Sequence, residues 1–144
     1  MSKEPQVPRT HEAAPGGGAS IGETSLPRSG EGGFAFAPSV VSLSAPHGEQ
    51  AEAIRTLRTH IMAQHVDDGR RGLAICGPSI GVGCTFTAVN LAVALSQIGV
   101  NTLLIDGDLR HPTVQDLIRP AKPVIGLRQA LSSEEPLDGV IQSS

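Results

Sequence analysis

The chain has 144 residues and a formal net charge of −3, enough for one domain and without the clustered basic face that nucleic-acid binding requires. Its two cysteines are neither a disulfide framework nor a zinc set and read as reduced cytosolic thiols. No apolar run approaches the ~18 residues of a membrane span, and the polar N-terminus is not a signal peptide, so a cytoplasmic chain is expected, with any attachment to the inner membrane supplied by a partner. With three Phe and no Tyr or Trp, the core must be aliphatic.

Residues 1–33 are dense in Pro, Gly, Ser and charge, and Gly16-Gly17-Gly18 and Gly32-Gly33 break any periodicity. Such a segment cannot bury enough apolar surface to offset its ordering entropy. The sequence therefore predicts a disordered leader over 1–44, with a mildly apolar extended stretch at Ala35–Leu43, and a folded unit over 45–144. A helix is predicted from about Glu49 to His65, with Ile54, Leu57 and Ile61 on one stripe and Glu52, Arg55 and Arg58 on a separate charged side. Asp67-Asp68-Gly69 ends it.

Leu73-Ala74-Ile75-Cys76, bounded by Gly72 and Gly77, reads as a buried parallel strand, with Cys76 a small core residue at its end. A glycine-containing loop follows, Gly77-Pro78-Ser79-Ile80-Gly81-Val82-Gly83-Cys84-Thr85. A second helix is predicted from Thr85 to about Ile98, apolar on most of its surface and stopped by Gly99. Asn101 to Asp106 reads as the next strand, which makes a right-handed βαβ unit. His111-Pro112 then breaks the chain. Short helices are predicted at Val114–Ile118 and Gly126–Leu131, and a helical turn at Pro136–Ile141. Two parallel strands are few for an open α/β sheet, so a fragment of a longer protein, or a chain completed by a partner, is expected.

The loop has the features of a phosphate cradle. Gly81 and Gly83 let the backbone approach an anion, the following helix offers its positive end, and Thr85 stands where a hydroxyl would ligate Mg²⁺. Cys84 occupies the place of the usual lysine, whose cation neutralises charge on the β- and γ-phosphates. The backbone cradle survives that replacement and the cation does not. The plain alternative is a glycine-rich turn without a ligand. Asp106 and Asp108, at the carboxyl end of a predicted strand, lie where ligands bind in open α/β sheets and suit Mg²⁺. Arg110 is placed to bind phosphate or to pair with one of these aspartates. The five histidines have no metal spacing and read as surface residues.

Leu103-Leu104-Ile105-Asp106-x-Asp108-x-Arg110 resembles the second nucleotide motif of the bacterial tyrosine kinases of capsule and exopolysaccharide synthesis. Glu52-x-x-Arg55-x-x-Arg58 resembles that family's subunit-contact motif, and Ala88-Val-Asn-Leu-Ala-Val-Ala-Leu95 its helix after the phosphate loop. Gly126-Leu127 to Leu131 and Pro136-Leu137-Asp138-Gly139-Val140-Ile141 are similar to a later Gly-Leu … Leu … Pro-Leu … Val-Ile region of that family. The resemblance spans about residue 40 onward. It implies the N-terminal part of a three-layer P-loop NTPase, an α/β fold whose parallel sheet is flanked by helices, that binds ATP and Mg²⁺. By the same resemblance Gly81, Val82, Gly83, Cys84, Thr85, Phe86 and Arg110 hold nucleotide. Thr85, Asp106 and Asp108 hold the metal, and Asp106 and Asp108 carry the catalysis. By that resemblance Glu52, Arg55 and Arg58 mediate self-association, whereas the residues alone read as an exposed helix face bearing an i,i+3 ion pair; the working partner the resemblance implies is a membrane-embedded polysaccharide chain-length adaptor.

The resemblance also places a third nucleotide motif and a tyrosine-rich tail beyond Ser144. This chain has no tyrosine, so it cannot phosphorylate itself on one. Three functions are compatible with these features: an ATP-dependent kinase-type domain controlling polysaccharide polymerisation and export, a non-catalytic regulator of the same fold that acts by assembly, and a partition or septum-site ATPase. The Glu-Arg-Arg helix and the Asp-x-Asp-x-Arg stretch argue against the third. Cys84 favours the second for this polypeptide.

Overall fold

The computed structural model describes residues 33–66, 68–133 and 140–143. Its elements in chain order are β1 (Phe34–Phe36), α1 (Val41–Ser44), α2 (Glu49–Ile61), a π-helical turn (Met62–Val66), α3 (Cys84–Ser96), α4 (Val114–Leu117), β2 (Ile118–Pro120) and α5 (Leu127–Ser132). The fold is a mixture of helix and strand, as an α/β reading requires.

Helix α2 forms where its periodicity places it. Glu49 and Glu52 in the first turn and Arg58 and His60 in the last complement the helix dipole. Ala51 and Ile54 are buried, with Leu57 and Ile61 half-buried on the same side. Helix α3 is apolar nearly all round and buries Val89, Asn90, Leu91 and Ala94. Gly99 ends it in a left-handed conformation (φ 82°), while the Gly99 and Val100 amides close back on Ser96 and Leu95. The packing of α2 on α3 is the most extensive contact between elements. Arg58 reinforces it by donating from Nη1 to the Ala94 carbonyl at 3.3 Å. That carbonyl belongs to the last turn of α3, where carbonyls lack intrahelical partners and a cation is favourable.

The third side of the core is the chain before α2. Val40 is fully buried and Val41 nearly so. The buried side chain of Asn90 makes two of the polar contacts that fix this segment to α3. Its Oδ1 accepts the Ser42 amide at 3.3 Å, and its Nδ2 donates at 3.0 Å to the carbonyls of Ser39 and Phe86. The Ser42 hydroxyl donates in turn to the Asn90 carbonyl at 3.4 Å, and Gln97 Nε2 donates to the Ser42 carbonyl at 3.2 Å. Asn90 has no solvent exposure, and every buried side-chain N or O among the described residues has a partner.

Three expectations need correction. Residues 34–44 are not leader: they form β1 and α1 and contribute Val40 to the core, so the folded unit begins about ten residues before the expected boundary. Residues 1–32 and 134–139, which hold the rest of the leader and most of the predicted Pro136 turn, lie outside the described residues. Second, the predicted parallel strands do not pair. Leu73–Cys76 and Asn101–Asp106 carry no ladder, and Leu73, Leu103 and Ile105 are 52%, 61% and 60% exposed. An apolar run becomes a strand only when a neighbour takes up its amides and carbonyls, and neither run has one among the described residues. The sheet among the described residues is instead antiparallel and two-stranded, with Phe34 opposite Pro120 and Phe36 opposite Ile118. Third, Cys76 is exposed rather than a core residue. The α3 and α4 predictions hold to within a residue or two, and α5 covers Leu127–Ser132.

Replacing Asn90 with Ala leaves the Ser42 amide and the Ser39 carbonyl without their buried partner. The expected loss in urea unfolding is about 2 kcal/mol. A loss below about 0.5 kcal/mol, the range of ordinary surface changes, would show that Asn90 does not hold this junction.

Candidate functional site

The glycine loop leads from the unpaired run at Leu73–Cys76 into α3. Gly81 (φ 84°) and Gly83 (φ 92°) adopt left-handed backbone that a Cβ would strain, although the space around both is open. Gly77 is glycine for a different reason: a Cβ there would stand 2.4 Å from Val82 Cγ2 and 2.8 Å from Cys84 Sγ. Gly83 is the N-cap of α3 without a side-chain capping bond, and the first turn has no acidic residue. The amides of Cys84, Thr85 and Phe86 therefore open the helix with no carboxylate of their own turn over them. Val82 and Ile80 are exposed at the loop's rim.

Asp106 is half-buried and gathers the chain around it. Its Oδ2 accepts the amides of Thr113 and Val114 at 2.9 and 3.0 Å, and its Oδ1 accepts that of Asp108 at 3.1 Å. It thereby caps the start of α4 in place of Thr113, whose own side chain makes no cap. The Thr113 hydroxyl is free to meet the Thr85 hydroxyl, 2.7 Å away. Thr85 and Asp106, the two residues expected to share a metal, are thus joined through Thr113 although 21 positions separate them in the chain. Thr113 is a residue that sequence reasoning missed; its signal was the His111-Pro112 break, which starts a new helix next to it.

Asp108 is placed differently. It is exposed and folds back on its own turn, its Oδ1 accepting the amides of His111 at 2.9 Å and Arg110 at 3.0 Å. Those two amides, His111 first, hold its carboxyl below the ordinary value of 3.8, and the nearby charges of His111 and Arg110 act in the same direction against a small desolvation effect. Arg110 is exposed and, among the described residues, its guanidinium pairs with neither aspartate. The Leu109 carbonyl is taken instead by Arg128 Nη2 from α5, a buttress that composition and spacing gave no reason to expect.

The expected assembly residues lie together on α2 and have partners within the chain. Arg55 forms an exposed two-pronged pair with Glu52, Nη2 at 2.6 Å and Nε at 3.0 Å, and donates from Nη1 to the Pro46 carbonyl at 2.6 Å. Arg58 makes the α3 contact described above.

The chain is similar to known bacterial proteins over much of its length. It is 34% identical over 105 residues to the tyrosine-protein kinase YwqD of Bacillus subtilis, a match covering 73% of this chain and 44% of the relative. It is 35% identical over 99 residues to the putative tyrosine-protein kinase AmsA of Erwinia amylovora, covering 69% of this chain and 14% of the relative. A putative tyrosine-protein kinase in the cps region of Klebsiella pneumoniae is 36% identical over 92 residues, covering 64% and 13%. No family model matches, and no solved structure does. The chain belongs to the family of bacterial tyrosine kinases of capsule and exopolysaccharide type, and it spans less than half the length of these curated relatives.

Asp108 gives this region a pH signature. A carboxyl depressed on folding contributes stability that is present above its unfolded value near 3.8 and is lost as pH falls through the lower folded value. A carboxyl-carbon NMR titration should place its midpoint below 3.8. Replacing Asp108 with Asn should remove that titration while leaving the Asp106 contacts in place. A midpoint at or above the ordinary value would refute the folded-back turn.

Proposed function

We propose that this chain is a nucleotide-binding, tyrosine-kinase-like domain that regulates capsule or exopolysaccharide polymerisation and export. The observation that carries the reading is the meeting of Thr85 and Asp106 through Thr113, beside a glycine turn that opens onto a helix start. The chemistry of this donor set fits Mg-ATP. The amides of Gly83, Cys84, Thr85 and Phe86 would take phosphate oxygens, with Gly81 and Val82 shaping the approach. The Thr85 hydroxyl and the Asp106 carboxylate would hold Mg²⁺, which commonly uses one or two protein ligands together with phosphates and water. Arg110 and Asp108, both exposed, would close over bound phosphate and activate an acceptor hydroxyl only after the Asp108 turn rearranges. ATP would supply a transferable phosphoryl group.

Cys84 favours a second reading of the same site. A thiol leaves the phosphates without the cation that stabilises charge during transfer, a contribution that amounts to several kcal/mol when such a group is removed elsewhere. We therefore propose weak nucleotide binding and little transfer in this polypeptide, which would act by assembly through the Glu52, Arg55 and Arg58 side of α2 and through a membrane-embedded chain-length adaptor. That partner would bring a cytoplasmic domain to the inner membrane. Among the described residues no helix is long and apolar enough to cross a membrane. We further propose that the exposed runs at Leu73–Cys76 and Asn101–Asp106 are strands of a three-layer P-loop fold that pair when neighbouring strands are supplied. A partition-type ATPase receives no support from the relatives, which are named as tyrosine kinases.

Calorimetric titration with Mg-ATP tests the site. Weak binding is expected for the chain, and Cys84→Lys should tighten it about tenfold by restoring one charge-assisted contact. Asp106→Asn should remove the dependence on Mg²⁺. Identical affinities in all three proteins would refute the phosphate-loop reading.

A further inference from the structure

The residue that departs from the family pattern has a second cysteine eight positions before it. Cys76 and Cys84 flank the glycine loop, and Gly77, bonded to Cys76, faces the Cys84 thiol. A Cβ on Gly77 would stand only 2.8 Å from Cys84 Sγ, so that thiol lies directly over the residue next to Cys76. Adjacent Cα atoms are about 3.8 Å apart, which sets Cys84 Sγ within one residue of the Cys76 backbone. Gly77 adds no side chain on that side, and Val82 Cγ2, 2.4 Å from where a Gly77 Cβ would stand, shares the space and must turn aside for the two sulfurs to meet. Both thiols are free; Cys76 is exposed and Cys84 half-buried.

A disulfide requires Cα atoms about 4.4–6.8 Å apart and a narrow range of torsions. The segment has the freedom to reach that geometry. Among the described residues no hydrogen bond is donated by residues 71–82, Leu73–Cys76 is in no ladder, and Gly81 and Gly83 already use backbone that only glycine adopts readily. A short ring of this kind also has a small closure entropy to overcome.

We propose that Cys76 and Cys84 are a redox modification site that closes the loop with a reversible intramolecular disulfide, and that the oxidant is a low-molecular-weight disulfide such as oxidised glutathione. The exposed Cys76 sulfur attacks one sulfur of that disulfide, breaking its S–S bond and releasing one small thiol. Cys84 sulfur then attacks the Cys76 sulfur of the mixed disulfide and displaces the second small thiol. Two protein thiols are oxidised, one small disulfide is reduced to two thiols, and the two cysteine protons leave with them. The site is independent of the nucleotide reading, because the approach of Cys84 Sγ to Gly77 does not depend on a phosphate ligand.

The test uses the whole chain, whose only cysteines are these two. Folded protein is incubated with oxidised glutathione, then denatured, alkylated and weighed intact. The expected product has lost both alkylatable thiols and two hydrogens, carries no adduct, runs as a monomer without reductant and is restored by dithiothreitol. Cys76→Ser should stop at one stable glutathione adduct or remain unmodified. Two retained adducts on the unmutated chain, a disulfide-linked dimer, or two unreacted thiols would each overturn the proposal.

Discussion

The hydrogen bonds of one buried amide side chain hold the parts of this molecule in register. Asn90 sits within α3, the more apolar of the two long helices among the described residues, where an unpartnered amide would be strongly unfavourable. Its amide group reaches three backbone groups, two of them in the segment before α2. The consequence is directional as well as energetic. Apolar contacts alone would let Val40 and Val41 slide along α3, whereas the Ser39 carbonyl and Ser42 amide fit Asn90 at one register only. Once that register is set, α2 follows from Gly48, and its Ile54 side reaches α3.

The same helix presents the candidate site at its other end. Four positions before Asn90, the Phe86 carbonyl accepts its Nδ2, so the first turn of α3 is tied to the helix interior. Thr85 is next to Phe86 and meets Thr113, whose amide is held by Asp106. A continuous polar path therefore runs from the core junction to the acidic turn. The Asp108 carboxylate is outside it, occupied with the amides of its own turn, which divides two aspartates that look equivalent in sequence into one that gathers distant residues and one that organises a loop.

The helices were legible because their signals are local: Ile54, Leu57 and Ile61 repeat at helical spacing, and Gly99 marks a stop by its own conformational freedom. The sheet was not, because pairing depends on residues far away. Nothing in Phe34-Ala35-Phe36 points to Ile118-Arg119-Pro120, and the apolar runs at Leu73 and Asn101 look like strands whether or not a neighbour exists. Of the candidate site, the glycine turn, Thr85 and Asp106 were readable from spacing. Thr113 and Arg128 act through hydroxyl and guanidinium contacts that spacing does not encode. Asn90 lies within the Ala88–Leu95 run, and nothing in its spacing marks the hydrogen bonds it makes to the chain before α2.

Arg58 shows how one side chain can confound the genetics of a surface. It shares a helical side with Glu52 and Arg55, yet its guanidinium is committed to the end of α3, while theirs is an ion pair facing water. An Arg58 variant would loosen the helix pair inside each chain before it altered any contact between chains, and a loss of assembly in it would be ambiguous. Charge reversal at Glu52 alone acts on the exposed pair and leaves the interior helix junction intact, which makes it the cleaner lesion for separating a folding defect from an association defect.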